Sequence, residues 1–367
     1  MHQPQRLTHR REFLKTAGLG IGGLILASQL SSAPTILPGR KKRAGIALVG
    51  LGYYSTDELA PALQQTEFAY LAGIVTGSPQ KVERWQRLYG IPDANVYNYD
   101  NFDSIRNNGD IDIVYVVLPN SMHKEFTIRA AQAGKHVICE KPMALNANDC
   151  REMIAACKAN GVGLSIGYRM QYEPHTQEIM RLGQEQVFGP VYQVSAGAGY
   201  RSVPSQHWKW RKAMGGGAMM DMGVYPLQAA RYVTGKEPIR VSAQTFTTRD
   251  VAIEVDEVTT FQLEFEGGII ANLETSFHAN SNYLHAFAEN GYFQLQPFSS
   301  YRGIRGSTSH GPLEFPAVNQ QATQMDEDAK NMLAGKPVRV PGEEGLADMI
   351  VVDAVKESIR TGRKVML

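Results

Sequence analysis

The sequence predicts an α/β protein of two unlike parts, a doubly wound parallel sheet followed by an α/β domain built on an antiparallel sheet. Three observations predict it. From about residue 44 to 167 apolar strand-like runs alternate with helical stretches, which demands a parallel sheet covered on both faces. After Pro238 strand follows strand, with hairpin signals at Glu266-Gly267-Gly268 and Asn290-Gly291. The length, 367 residues, suits two domains and a leader better than one domain.

Taken in order, "AGIALVG" is a buried strand ending in glycine. "STDELAPALQQ" then opens a helix that Ser55 caps and Glu58 completes as a capping box. "FAYLAGIVTG" is the second strand, and Gly90 closes the helix "PQKVERWQRLYG". "IDIVYVVLPN", "HVICEKP" and "GLSIGYR" are strands separated by the helices "SMHKEFTIRAAQAGK" and "NANDCREMIAACKANG". Past residue 167 come a helix, "YEPHTQEIMRLGQEQ", a glycine-rich stretch and a second helix, "GAMMDMGVYPLQAARYVTG". The strands after Pro238 follow, and a last helix spans about 343–361. The expected division is therefore 44–167 and 168–367.

Apolar residues make up 43%, charged residues 20%, and the net charge is +1. No basic block marks a nucleic-acid partner. The apolar run Ala17–Leu30 is too short to span a bilayer comfortably. With basic residues before it and "SSA" at 31–33, it reads as a signal peptide over 1–33, leaving 34–43 as a short linker. An uncleaved N-terminal anchor is the alternative. "RREFLK", with Arg10 and Arg11, resembles the twin-arginine signal that exports folded proteins, so the expected location is the periplasm, with no stable membrane association after cleavage. The three cysteines, Cys139, Cys150 and Cys157, are odd in number and form no disulfide framework. No histidine shows metal-ligand spacing, and no metal is expected.

"GLGYYS" joins a strand to a helix, the context in which a glycine loop binds a dinucleotide. Gly50 permits the tight turn, Gly52 lets a pyrophosphate approach, and Tyr53, Tyr54 and Ser55 begin the helix whose free N–H groups attract phosphate. The second strand ends in Thr76 where an NAD site usually carries a carboxylate, and Ser78, Lys81 and Arg84 follow. Hydroxyls and cations suit a 2′-phosphate. NADP is therefore the expected cofactor and NAD the alternative, the lesser reading of Lys81 and Arg84 being solvated helix charges. Pro119, Asn120 and His123 in "LPNSMH" and Glu140 in "CEKPMA" fall at the same strand ends. His123 is readable either as a cofactor-edge residue or as a helix cap.

Lys141 stands at the strand tip, where ligands of such sheets bind. Asp221 and Tyr225 are four apart and share a helical face. A tyrosine ionises near pH 10 unless a cation favours its phenolate. Lys141, Asp221 and Tyr225 thus read as one proton-handling site for a sugar hydroxyl or carbonyl.

"GLGYYS", "LPNSMHKEF", "AGKHVICEKPMA", "IGYRMQYEP", "GGGAMMDMGVYPLQAARYVTGKEP" and "KPVRVPGEEG" together resemble the Gfo/Idh/MocA family, named for glucose–fructose oxidoreductase, inositol dehydrogenase and a rhizopine-catabolism protein. The resemblance spans about residues 44–365. It implies a Rossmann domain, a second domain with a large open, mainly antiparallel sheet, and a homodimer or homotetramer. It also implies retained NADP, oxidation of a glucose-like aldose to a lactone, and reduction of a fructose-like ketose to a polyol. By position it makes Lys141 and Asp221 sugar residues and Tyr225 the acid/base, where many relatives carry histidine. Arg169 and Trp208 would line the pocket, and Lys209 and Arg211 would touch cofactor phosphates or substrate. Two readings stay beside this one: a sugar or cyclitol dehydrogenase with exchangeable NAD(P), and a glycoside-cleaving enzyme that oxidises and re-reduces one sugar.

Overall fold

The computed structural model describes residues 43–201, 207–247 and 254–367. The expected export signal, and the linker except Arg43, lie outside the described residues.

The first sheet holds six parallel strands: β1 (Ala44–Val49), β2 (Ala69–Val75), β3 (Val96–Tyr97), β4 (Ile113–Val116), β5 (His136–Cys139) and β6 (Leu164–Ile166). Their order is β3-β2-β1-β4-β5-β6. The chain runs one way from β1 to β3 and the other way from β4 to β6, so a crevice opens where β1 meets β4. β1 is buried along its whole length, as a central strand covered on both faces must be. The connecting helices are α1 (Ala60–Leu63), α2 (Val82–Tyr89), α3 (His123–Gln132) and α4 (Ala147–Ala159). Asn146 caps α4 by accepting from the Asp149 N–H, and Gly90 closes α2 in the left-handed conformation.

The expected capping box before α1 does not form. A π-helical stretch, Tyr54–Leu59, runs straight into α1, and no side chain caps its start. Its wide first turn tucks Ser55 inside, where the hydroxyl donates to the Gly50 carbonyl at 2.6 Å. Glu58 lies 3.8 Å from Arg302 instead of returning to the cap.

The second sheet comprises β7 (Val191–Gly199), β8 (Pro238–Phe246), β9 (Val258–Phe265), β10 (Ile270–Ser276), β11 (Ser281–Ala288), β12 (Gly291–Leu295), β13 (Gly306–Thr308), β14 (Gly311–Leu313) and β15 (Val365–Met366). Its order is β14-β13-β12-β11-β7-β10-β9-β8-β15, and only β7 and β10 pair in parallel. Both hairpin turns fall where glycine signals them, between β9 and β10 and between β11 and β12. The helices α5 (Pro174–Gln184), α6 (Val224–Thr234) and α8 (Gly342–Thr361) accompany this sheet. Arg231 on α6 pairs with buried Asp348 on α8 at 2.7 Å. Tyr192, Phe246 and Phe287 stay exposed on its strands.

One element crosses the expected division. Helix α7 (Gln320–Leu333) lies in the later part of the chain yet packs on the first sheet, where Met325, Ala329 and Met332 share a core with Ile46, Leu48 and Ile74. The Asp326 carboxylate accepts from the N–H groups of Glu67 and Phe68 at 2.8 and 2.7 Å, fixing the entry of β2. All three cysteines are free and buried, and burial pushes Cys150 and Cys157 up to about 12. They are inert as nucleophiles at neutral pH.

Asp328 on α7 is fully buried, accepting from Ser165 Oγ at 2.8 Å and Tyr172 OH at 3.1 Å. Burial raises its carboxyl to about 7. In the unfolded chain it titrates near 4. A carboxyl raised by folding favours the native state only while protonated, so its contribution is lost as pH rises from about 4 to 7. Asp328→Asn is expected to keep that stability at pH 8. Thermal melts at pH 5 and 8 check this: the wild type should lose more on going to pH 8 than the variant, and equal losses would refute it.

Candidate active site

The glycine loop lies at the C-terminal edge of the first sheet, beside the crevice between β1 and β4. Gly50 has φ +94°, and a Cβ there would sit 2.5 Å from the Val117 carbonyl oxygen, so only glycine fits. A Cβ on Gly52 would meet nothing within 4 Å, which leaves this backbone edge open. Tyr53 is exposed, and Tyr54 stacks on Tyr301 with ring centroids 5.7 Å apart. At the end of β2, Thr76 Oγ1 accepts from the Ser78 N–H at 3.0 Å. Lys81 reaches back to the loop and donates to the Leu51 carbonyl at 2.6 Å. Cationic and hydroxyl groups therefore gather where a carboxylate would repel a 2′-phosphate.

His123 requires a correction. It is fully buried, its Nε2 2.8 Å from the Leu118 carbonyl and its Nδ1 2.9 Å from the Pro142 carbonyl. Burial lowers its pKa. The ring ties the ends of β4 and β5 together, so it neither caps α3 nor faces the open edge. Asn120 after Pro119 is also buried and donates to the Gly215 carbonyl at 2.7 Å, joining the first sheet's loops to the glycine-rich stretch. Glu140 accepts from Tyr115 OH at 2.7 Å, and burial raises its pKa. Its carboxyl lies where a Cβ on Gly167 would clash at 2.5 Å.

Lys141, Asp221 and Tyr225 converge as expected. Lys141 Nζ donates to the Asp221 carbonyl oxygen at 2.7 Å, lies 3.8 Å from Asp221 Oδ1, and sits 4.7 Å from the Tyr225 ring centroid. The local backbone favours this bond. Asp221 belongs to a π-helical turn, Met219–Gly223, that leads into α6. In that register a carbonyl pairs five residues on, and five beyond Asp221 stands Pro226, which has no N–H. The lysine supplies the missing donor.

Arg169, 3% exposed, lies on the other side of Tyr225. It donates to the Ser299 and Ser300 carbonyls and to Gln320, approaches Tyr225 OH at 3.4 Å, and stacks on Tyr301 at 4.4 Å. It acts from inside the protein rather than presenting itself to a ligand. Burial alone would raise the Tyr225 phenol. Arg169 first and Lys141 second outweigh it, and the net pKa falls below the ordinary tyrosine value. Burial likewise opposes the charge on Asp221, and Lys209 and Lys141 overcome it, so this carboxyl is held below its usual range. Lys141 stays protonated: Tyr225, Asp221 and Glu140 outweigh its desolvation.

Lys209 was expected against phosphate or substrate. It pairs instead with Asp221 Oδ2 at 2.8 Å. Trp208 is half-buried beside His207, whereas Trp210 is buried against Phe277, which makes Trp210 the core member of the pair. Arg211 is exposed. Sequence reasoning missed Tyr200, Tyr301 and Tyr115. Tyr200 ends an apolar strand-like run just as Lys141 does, and that position was its only signal. Among the described residues no His/Cys/Asp/Glu group could hold a metal, and no helix is long and apolar enough to cross a membrane.

With this geometry established, comparison with known proteins identifies the chain. The model for an oxidoreductase family with an NAD-binding Rossmann fold matches residues 44–168, and that for the GFO/IDH/MocA C-terminal domain matches 176–294. The chain belongs to the Gfo/Idh/MocA oxidoreductase family. It is similar to the crystal structure of aldose-aldose oxidoreductase from Caulobacter crescentus complexed with glycerol, at 40% identity and TM-score 0.86, covering 89% of this chain and 100% of that one. It is 27% identical to D-xylose 1-dehydrogenase (NADP(+)) 2 of Haloferax volcanii over 87% of this chain and 98% of the relative. A 3-ketoreductase from Actinomadura kijaniata in complex with NADP and TDP-benzene, at 24% identity and TM-score 0.76 over 86% and 98%, shares the fold.

The two cations around Tyr225 make a direct prediction. Its phenol should ionise below the ordinary range, and Arg169→Met and Lys141→Met should each raise the midpoint by about a unit or more. Tyrosinate absorbance, taken as the difference between each protein and its Tyr225→Phe counterpart, measures this. A midpoint unmoved by both changes would exclude cation control of the phenol.

Proposed function

We propose that this family member is an NADP-dependent sugar oxidoreductase that oxidises an aldose at C1 to a lactone and reduces a second sugar to a polyol. The carrying observation is the meeting of Lys141, Asp221 and Tyr225 at the strand edge beside the glycine loop. The likeness to an aldose–aldose oxidoreductase and to an NADP-dependent xylose dehydrogenase supports a sugar. It also supports an aldose as the second substrate, alongside the ketose that the sequence resemblance implies.

The residues fit NADP. Gly50 and Gly52 give the close approach, Thr76, Ser78 and Lys81 would face the 2′-phosphate, and no acidic side chain ends β2. When bound, NADP supplies the hydride chemistry. The chain's own part is orientation and proton transfer. Asp221 and Lys141 hold the sugar hydroxyls. The Tyr225 phenolate accepts the C1 hydroxyl proton of the aldose, and the phenol later donates to the carbonyl oxygen of the second sugar.

A periplasmic location, reached through the twin-arginine signal, supports paired half-reactions, because a folded protein exported with its nucleotide must restore it in place. One observation favours exchangeable cofactor instead. Only ten residues, 34–43, separate the expected cleavage site from β1, a short arm for clasping a nucleotide. A homodimer or homotetramer, formed through the open second sheet, completes the reading.

The test is purified, dialysed protein given glucose with xylose or fructose and no added cofactor. Lactone and polyol in equal amounts are expected, and no turnover with any sugar pair, with or without added NADP, would overturn the proposal. Turnover only on adding NADP would favour the exchangeable form. Tyr225→Phe should lower turnover by about 10² to 10⁴-fold while leaving nucleotide binding unchanged. Lys81→Ala should weaken NADP binding more than NAD binding, read by fluorescence titration.

A further inference from the structure

We infer that Tyr200 and Lys209 are positioning residues that hold Asp221 in one orientation, with Oδ2 filled and Oδ1 kept for a sugar hydroxyl. The inference rests on the reading of this pocket as a sugar site. Its basis is the asymmetry of the carboxylate. Oδ2 accepts from Tyr200 OH at 2.7 Å and from Lys209 Nζ at 2.8 Å. Those two donors also meet each other at 2.9 Å, which closes a three-membered cluster. Among the described residues, the ion-pair partner of Oδ1 is Lys141 Nζ at 3.8 Å, beyond hydrogen-bond distance, because the lysine donates to the backbone carbonyl of the same residue. Asp221 is only 8% exposed. A largely buried, ionised carboxylate with one oxygen held by two donors keeps the other for a ligand, and a sugar brings hydroxyls.

Tyr200 follows the end of β7. Lys209 lies in the 3₁₀ turn Trp208–Trp210, pinned by Trp210 in an apolar cluster with Ala218 and Phe277. The Lys209 carbonyl accepts from the Gly217 N–H at 2.9 Å. A Cβ on Gly216 would lie 2.2 Å from that carbonyl oxygen, so the glycine lets the turn close on the residues leading into Asp221. Of the glycine run before the π-helical turn, Gly216 is explained by this turn, whereas Gly215 and Gly217 have φ of +74° and +112°.

The titratable groups around Asp221 are Lys141 after β5, Tyr200, His207 and Lys209, Tyr225 on α6, and Tyr301. Lys209 is the largest influence holding the carboxyl ionised against burial. Its loss leaves Lys141 and the Tyr200 hydroxyl to oppose desolvation.

The experiment follows the Asp221 carboxyl directly, by NMR of protein labelled with 13Cγ-aspartate, the signal assigned by its loss in Asp221→Asn. Lys209→Met should raise the Asp221 midpoint by about one to three pH units, and Lys209→Arg should restore it. Tyr200→Phe, which removes one hydroxyl, should raise it less. In turnover, Lys209→Met should raise the sugar KM at least tenfold and move the acid limb of kcat/KM to higher pH. An Asp221 midpoint unmoved in both variants overturns the clamp, even where the wild type turns sugars over. A shifted midpoint in a protein with no sugar turnover supports the clamp and overturns the sugar reading.

Discussion

One contact holds the molecule's two sheets to a common purpose: the Lys141 ammonium on the Asp221 carbonyl oxygen at 2.7 Å. Lys141 follows β5 of the parallel sheet, and Asp221 lies in the π-helical turn that leads into α6, against the other sheet. Neither end could be buried alone. An ammonium taken from water needs acceptors, and a buried carbonyl oxygen gains from a charged donor. Each satisfies the other, and the Tyr225 ring closes over the cation at 4.7 Å. The Asn120–Gly215 bond, at 2.7 Å, secures the same junction from the neighbouring loops.

The wide turn is what makes this contact available. A regular α-helix through 219–234 would pair the Asp221 carbonyl with Tyr225. In the π register the residue five on is Pro226, which has no N–H to give, and the lysine supplies a donor. A second wide stretch, Tyr54–Leu59, does comparable work at the glycine loop. It brings Ser55 beneath the loop to bond Gly50 and places Tyr54 against Tyr301, which in turn packs on Arg169. Both irregular turns stand at the site, as π-helical turns frequently do.

The alternation of strands and helices, the hairpin glycines and the strand-tip lysine were legible because each follows from local rules of periodicity and turn chemistry. That Asp221 and Tyr225 share a face was legible too, since i and i+4 spacing survives the mixed register well enough, whereas Lys141 was joined to them by its strand-tip position and the family resemblance. What was not legible depends on contacts distant in sequence. The inward turn of His123 follows from two carbonyls, one of them nineteen residues on. Helix α7 carries an amphipathic pattern that says nothing of which sheet it covers. Lys209 looked like a phosphate contact because its partner, Asp221, is twelve residues away across three glycines. Ser55 read as a cap because the spacing to Glu58 matches a capping box, and a π-helical turn leaves no trace in such spacing.

The site's charges fit one chemistry. Three cations, Lys141, Arg169 and Lys209, stand among Asp221, Glu140 and the Tyr225 phenol. Glu140 is biased by burial toward its neutral form, whereas Asp221 is held ionised. The balance at Tyr225 is therefore positive, and it stabilises whichever negative charge develops there, phenolate or sugar oxyanion. Burial strengthens the effect, because few water dipoles remain to screen the cations. A site needing only to bind a neutral sugar would gain nothing from holding a phenol between an arginine and a lysine. The proposed transfer of a hydroxyl proton is a use that this arrangement suits.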